Sequence, residues 1–247
     1  MHRLLVSPEQ LESDPPALSE SAMSHLRVVR PNDGETIELF DGNGRWRNFS
    51  VRRLGPKSYV LSSASGVMSL PPRATRMTLF ACVTKGSRWD WTVEKAVELG
   101  VSRIVPVVSE RTIVRIDEGS KAQKRERWIR IAEEAARQSD AKWLPEISMP
   151  VTFAESIALV RETVCFVGAL TNPPPETIGE ALAREGFREG ADYAVYVGPE
   201  GDFSPAELSA LLEVAGPVSF GPTILRAETA AIFAVSALKV RLDVFAR

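Results

Sequence analysis

The chain is poor in the residues that build redox and metal chemistry, with two cysteines and two histidines among 247 residues. Cys82 and Cys165 both lie inside apolar strand-like runs, LFACV and TVCFV, the usual setting of buried, reduced thiols. Without a Cys/His cluster there is no basis for a zinc site, and no metal is expected. Neither sign of charge is in excess: 30 Lys and Arg against 32 Asp and Glu leave a net charge of −2. That excludes a surface attractive to polyanions everywhere, so any nucleic-acid contact must come from local basic patches. No uninterrupted apolar run approaches the ~18 residues of a membrane span. The N-terminal MHRLLVSPEQ has no stretch long enough for a signal peptide, and a cytoplasmic protein without membrane contact is the expectation. Phosphate motifs are missing as well. There is no P-loop lysine followed by Ser or Thr, and no GxGxxG fingerprint.

What is present divides into two styles. Residues 1 to about 72 contain alternating β-type runs: RLLVS, then TIELF and RWRNFSVRRL joined across Asp41-Gly42-Asn43-Gly44, then KSYVLSSAS. The DGNG stretch is hairpin turn chemistry. Only the region of His25 suggests a helix, and a small β-barrel is expected. SLPPRATR (69–76) reads as a linker. From residue 73 onward strand-like and helix-like segments alternate to the end. Examples are MTLFACVT, SRWDWTVEKAVELG with Gly100 placed to end it, RIVPVVS and KAQKRERWIRIAEEAARQS. The pattern continues through TVCFVGAL, ADYAVYVG, SPAELSALLEV, PVSF and ETAAIFAVSALKVRLDVF. Such alternation predicts an α/β domain with a mostly parallel sheet covered on both faces.

In sheets of that kind, ligands bind beyond the carboxyl ends of strands. Two strand-to-helix loops there carry chemistry. The first, VGPEGDFSPAE (197–207), pairs two permissive glycines with a Ser204-Pro205-Ala206-Glu207 capping box that starts the next helix. Its Glu200 and Asp202 would repel a pyrophosphate and suit a cation or ribose hydroxyls. The second, FGPTILRAETA (220–230), places Arg226 and Glu228 at the mouth of an apolar helix. The Arg226 guanidinium suits a carboxylate, a phosphate or a developing oxyanion. Glu228 suits pairing with Arg226 or, equally, the positive end of the helix. A ligand-free turn also remains open for the first loop.

GPEGDFSPAE and GPTILRAETA together resemble the paired loop motifs of the RsmE family, the 16S rRNA (uracil-N3) methyltransferases of the SPOUT superfamily. The likeness extends to EKAVELGVSRIVPVVSERT (94–112), KRERWIRIAEEAARQS (124–139), HLRVVRPNDGETIELFDGNG (25–44) and an early arginine at Arg3. It covers nearly the whole chain, with the motifs in order. The resemblance implies a PUA-like, RNA-binding β-barrel over 1–72 and a SPOUT methyltransferase domain with a trefoil knot over 73–247. It also implies a homodimer. The cofactor implied is S-adenosyl-L-methionine, bound by Leu170, Gly198, Pro199, Glu200, Gly201, Phe220, Gly221, Ile224, Leu225, Ala227 and Thr229. The substrate implied is a uridine of 16S rRNA in the small ribosomal subunit, conventionally position 1498.

Uracil N3 carries a proton at neutral pH, so transfer to it requires deprotonation and places charge on O2 and O4. Arg226 is the candidate for stabilising that anion, and Glu228 for acting as general base or orienting Arg226. Candidate RNA contacts are Arg3, His25, Arg30, Arg111, Lys121, Lys124, Arg125, Arg127 and Gln138, with Arg47, Arg52 and Arg53 on the barrel. By itself, the charge run at 121–130 is as compatible with a solvated helix face as with RNA contact.

The chain departs from the family twice. Where the family loop reads GPEGG, Asp202 replaces the last glycine; where the family continues Gln-Ser-Gly-Arg, this chain has Gln138-Ser139-Asp140-Ala141-Lys142. Two readings compete with the leading one: a SPOUT methyltransferase acting on another RNA, and a non-catalytic ribosome-assembly factor that binds RNA. An ordinary nucleotide-phosphate enzyme fails on the missing phosphate motifs.

Overall fold

The computed structural model of the chain describes residues 1–56, 58–160, 163–186 and 190–245, without side chains beyond residue 242. The chain forms two compact units. One comprises residues 1–72 with 133–144, the other residues 73–132 with 145–247.

In the first unit the elements are β1 (His2–Leu5), α1 (Pro8–Glu12), α2 (Glu20–Val29), β2 (Thr36–Phe40), β3 (Arg45–Gly55), β4 (Ser58–Ser63) and β5 (Met68–Ser69). They build a five-stranded sheet in the order β1-β2-β3-β4, with β5 on β3. β1 runs parallel to β2, and the other pairs are antiparallel. The β2–β3 hairpin closes as its residue types dictate. Gly42 and Gly44 take φ of +71° and +84°, and the Asp41 carboxylate accepts from Asn43 N at 2.8 Å and Arg45 N at 3.1 Å. α2 contains His25 as expected. α1 went unread, although its signal is a full capping box with proline at the helix start, Ser7 to Gln10. Its single buried residue, Leu11, joins Leu26, Ile37, Leu39 and Phe49 in the unit's core.

The second unit contains β6 (Met77–Cys82), α3 (Ser87–Glu98), β7 (Arg103–Val108), α4 (Glu118–Ser139, its last turns counted with the first unit), β8 (Glu146–Ile147), β9 (Val151–Thr152) and α5 (Phe153–Ile157). It continues with β10 (Thr163–Gly168), α6 (Ile178–Glu185), β11 (Asp192–Val197), α7 (Pro205–Leu212), β12 (Gly216–Val218) and α8 (Ala227–Phe245). The seven strands order as β12-β10-β11-β6-β7-β8, with β9 on β7, and every pairing is parallel. Central strands of such a sheet are covered on both faces and read as unbroken apolar runs. β11 fits: Tyr193 to Val197 are all buried, and Tyr196 stacks on Phe80 at 4.4 Å. Both cysteines are buried and free, and burial pushes each thiol up to about 12, so neither is a nucleophile near neutral pH. The alternation along the sequence found all the long elements. It passed over β8, β9 and α5, which are too short for periodicity to mark.

Candidate functional site

A cleft of about 570 Å³ opens at the carboxyl ends of β10, β11 and β12, three neighbouring strands of the parallel sheet. The loops following those strands supply its walls. Leu170 stands after β10, Gly198, Pro199 and Glu200 after β11, and Phe220, Gly221, Ile224, Leu225, Arg226 and Ala227 after β12. Two loops about twenty positions apart in sequence thus face one space, because parallel pairing brings all three strand ends to one edge. Val197, Val218 and Ala230 contribute apolar wall, while Arg88, Asp202, Ser219 and Thr223 add polar groups. Arg88 escaped the sequence reading because it arrives from the start of α3, far from either motif.

Three of the expected site residues stand elsewhere. Gly201, Thr229 and Glu228 do not line the cleft. The Gly201 carbonyl accepts from Arg111 Nη1 at 2.9 Å, on the side of the turn where Arg111 packs. Thr229 and Glu228 belong to the first turns of α8, whose start at Ala227 rotates them off the wall formed by Arg226, Ala227 and Ala230. Glu228 Oε2 is buried without a hydrogen-bond partner and sits where a helix N-terminus favours negative charge. Among the described residues no carboxylate pairs with Arg226, which is exposed, whereas Glu200 pairs with Arg88 at 2.9 Å. Of the two roles open to Glu228, the pairing with Arg226 is therefore not formed, and its place at the start of α8 is the one observed.

Local chemistry fixes the loops. Asp202 N donates to Pro199 O at 3.0 Å, and Asp202 takes φ of +59°, a conformation that Asp tolerates better than most residues after Gly. Its Oδ1 accepts from Phe203 N at 2.8 Å. The capping box read from Ser204 and Glu207 is in place. Gly168 has no room for a side chain, since a Cβ there would overlap the Phe220 ring, and Phe220 in turn meets Phe233 of α8 edge-on at 5.8 Å.

Most of the cations proposed for RNA have protein partners. In the first unit Arg3 lies 2.8 Å from Asp140 and 3.5 Å from the buried Glu38. Glu38 is also paired with Lys142, which is itself 2.5 Å from Asp140. Asp140 adopts φ of +62°, the conformation that a glycine at this place would supply. Arg47 donates to Ser65 O and Ser63 Oγ, and Gln138 donates to Glu134. His25 is half-buried, and burial, then the Arg137 cation, lowers its pKa. Arg30, Arg52 and Arg53 are exposed. In the second unit Lys121 pairs with Glu118 and Arg127 with Asp90, and Arg125 Nε donates to Ile147 O at 2.7 Å. Among the described residues no partner for Lys124 is recorded, and no group of three His, Cys, Asp or Glu side chains converges as a metal site would require.

A family model described as the RNA methyltransferase domain matches residues 71–239. A relative from Synechocystis sp. named ribosomal RNA small subunit methyltransferase E is 31% identical over 98% of this chain and 78% of its own length. The chain belongs to the ribosomal RNA small subunit methyltransferase E family. A member from Aquifex aeolicus is also 31% identical, over 90% of this chain and 92% of its own. The crystal structure of the Neisseria gonorrhoeae methyltransferase E bound to S-adenosyl methionine superposes with a TM-score of 0.83 at 27% identity, covering 97% of each chain. For this methyltransferase E family member, the cleft between the β11 and β12 loops is the candidate active site.

Proposed function

We propose that this chain is an S-adenosylmethionine-dependent methyltransferase acting on 16S rRNA of the small ribosomal subunit, with N3 of one uridine, conventionally position 1498, as the acceptor. The observation that carries the reading is the convergence of the β11 and β12 loops on one cleft that holds Arg226 without a carboxylate partner among the described residues.

The cleft suits the cofactor. Its volume is that of a nucleoside-sized ligand site, and Leu170, Ile224 and Leu225 give apolar surface for a base. Asp202 favours a cation over a phosphate, whereas Glu200 is already paired with Arg88. When bound, S-adenosylmethionine would supply an electrophilic methyl group for uracil N3, its positive sulfur serving as the leaving group. The N3 proton must pass to solvent for the ring to act as nucleophile, and the negative charge left behind spreads onto O2 and O4. Arg226 at the lip of the cleft holds that charge with its N–H donors. Glu228 stands behind the wall, so its part in this scheme is to set the start of α8 rather than to take the proton.

For the finer architecture we adopt the SPOUT trefoil knot in the second unit, the PUA-like RNA-binding barrel in the first, and a homodimer. Exposed Phe233 and Val240 in the second unit favour a second copy as their cover. Arg30, Arg52 and Arg53 are the barrel cations open to RNA.

The deciding experiment incubates the protein and methyl-labelled S-adenosylmethionine with small subunits lacking the modification, and separately with naked 16S rRNA. Nucleosides are then resolved. Label in 3-methyluridine is expected, and the better substrate fixes the assembly stage. Cofactor binding without label in either RNA would redirect the reading to another RNA, and absence of cofactor binding would favour a non-catalytic factor.

A further inference from the structure

The turn carrying Pro199 to Asp202 is gripped from two sides by arginines of other elements, Arg88 of α3 and Arg111 of the loop after β7. Arg88, in the first turn of α3, reaches Glu200 at 2.9 Å. Arg111, in the loop after β7, donates through Nη1 to Gly201 O at 2.9 Å and reaches Phe203 O at 3.5 Å, across 90 residues of sequence. Arg111 is itself held on a rigid base. Ser109 N donates to Thr112 Oγ1 at 3.0 Å and Thr112 N to Ser109 O at 3.1 Å. Glu110 N donates to Glu207 Oε1 at 2.8 Å, while Oε2 of that buried carboxylate accepts from Ser204 N at 3.0 Å. The loop 109–112 is thereby fastened to the start of α7, immediately after the turn.

We propose that Arg111 is a positioning residue for the cofactor turn rather than an RNA contact, and that Arg88 completes the clamp from the other side. The turn needs such a hold. Asp202 sits in the left-handed region, and a residue held there persists only where its surroundings over-determine the backbone. A cationic donor on the Gly201 carbonyl supplies that constraint with a charge-assisted hydrogen bond. It also fixes the outward face of the turn while Gly198, Pro199 and Glu200 face the cleft. The inference rests on the reading of this cleft as the cofactor site, and it explains why an arginine of the SERT segment and the GPEG turn occur together in one chain.

The test measures amide hydrogen exchange over residues 199–203 without ligand, S-adenosylmethionine affinity by calorimetry, and affinity for a 16S rRNA fragment across salt concentrations. Wild type, Arg111→Ala and Arg111→Lys are compared. Arg111→Ala should speed exchange in the turn by about tenfold and raise the cofactor Kd by about tenfold. RNA affinity should stay within about twofold with an unchanged salt slope, and Arg111→Lys should recover part of both losses through one remaining donor. Unchanged exchange together with weakened RNA binding and a shallower salt slope would overturn the proposal. If wild type binds no S-adenosylmethionine, the proposed function falls, while the exchange comparison still decides the role of Arg111.

Discussion

The basic side chains on α4 and those around the cleft hold their charge in opposite ways. On α4 two of the counterions are neighbours in sequence, Glu118 for Lys121 and Glu126 for Arg130, one turn away, while Arg127 reaches Asp90 of α3. Around the cleft Arg88 finds Glu200 on a different loop, and Arg226 has no carboxylate partner among the described residues. A run of cations in a sequence is thus a poor measure of local positive field, since the same stretch carries its own neutralising groups. An isolated arginine between Leu225 and Ala227 is a better one. The α4 pairs do not forbid RNA contact, because exposed ion pairs are worth at most about 1 kcal/mol and a phosphate can displace them.

If that contrast is correct, removing Arg226 should have the largest effect. Arg226→Ala should lower kcat by about 10²–10³-fold, with S-adenosylmethionine affinity within about threefold, measured at saturating RNA. A variant with near-normal turnover would remove the cleft's side of the comparison.

Backbone strain at Asp202 comes next. Asp202→Ala loses the bond to Phe203 N and keeps φ near +59°, so it should cost about 1–2 kcal/mol of stability in urea unfolding. Asp202→Gly should recover most of that through its freedom at positive φ. Equal losses in both variants would show that the side-chain bond, and not the conformation, is what the turn requires.

On α4, Lys124→Glu is the clean probe, because reversal at Arg125 would also break its bond to Ile147 O. RNA affinity should fall severalfold and the salt slope should flatten by about one unit. An unchanged slope would leave this face as solvated surface.

The smallest effect concerns His25. Burial and the Arg137 cation hold its pKa below the ordinary 6.5, so the unfolded chain takes up the proton first as pH falls. Its contribution to stability is complete above about pH 6.5 and is lost as pH drops through the lowered folded value. The melting temperature of wild type should therefore fall slightly more than that of His25→Gln between pH 7 and pH 5.

Much of the site was legible because it is built from local signals. Ser204 and Glu207 announce a helix start wherever they fall, and Gly42 and Gly44 turn a hairpin with no help from the rest of the chain. Asp202 stands where the family loop has glycine and is of a residue type able to keep positive φ, a substitution that sequence chemistry tolerates; that Asp140 also adopts positive φ is shown only by the structure. The capping box at Ser7 was equally readable but was passed over in favour of the surrounding β pattern. Arg88 and Arg111 were a different matter: no local pattern says that an arginine after β6 and another after β7 will meet the loop after β11.

The sequence alone determined the order of the long strands and helices, their caps and turns, the buried thiols and the two loops that face the cleft, because propensity, capping and periodicity act over a few residues. Only the tertiary structure decided which cations are neutralised, why Gly168 admits no side chain beside Phe220, and which arginines meet the turn after β11. Those outcomes depend on parallel strand order, which brings residues distant in sequence to one edge of the sheet, and on distances of about 3 Å that spacing along a chain does not encode.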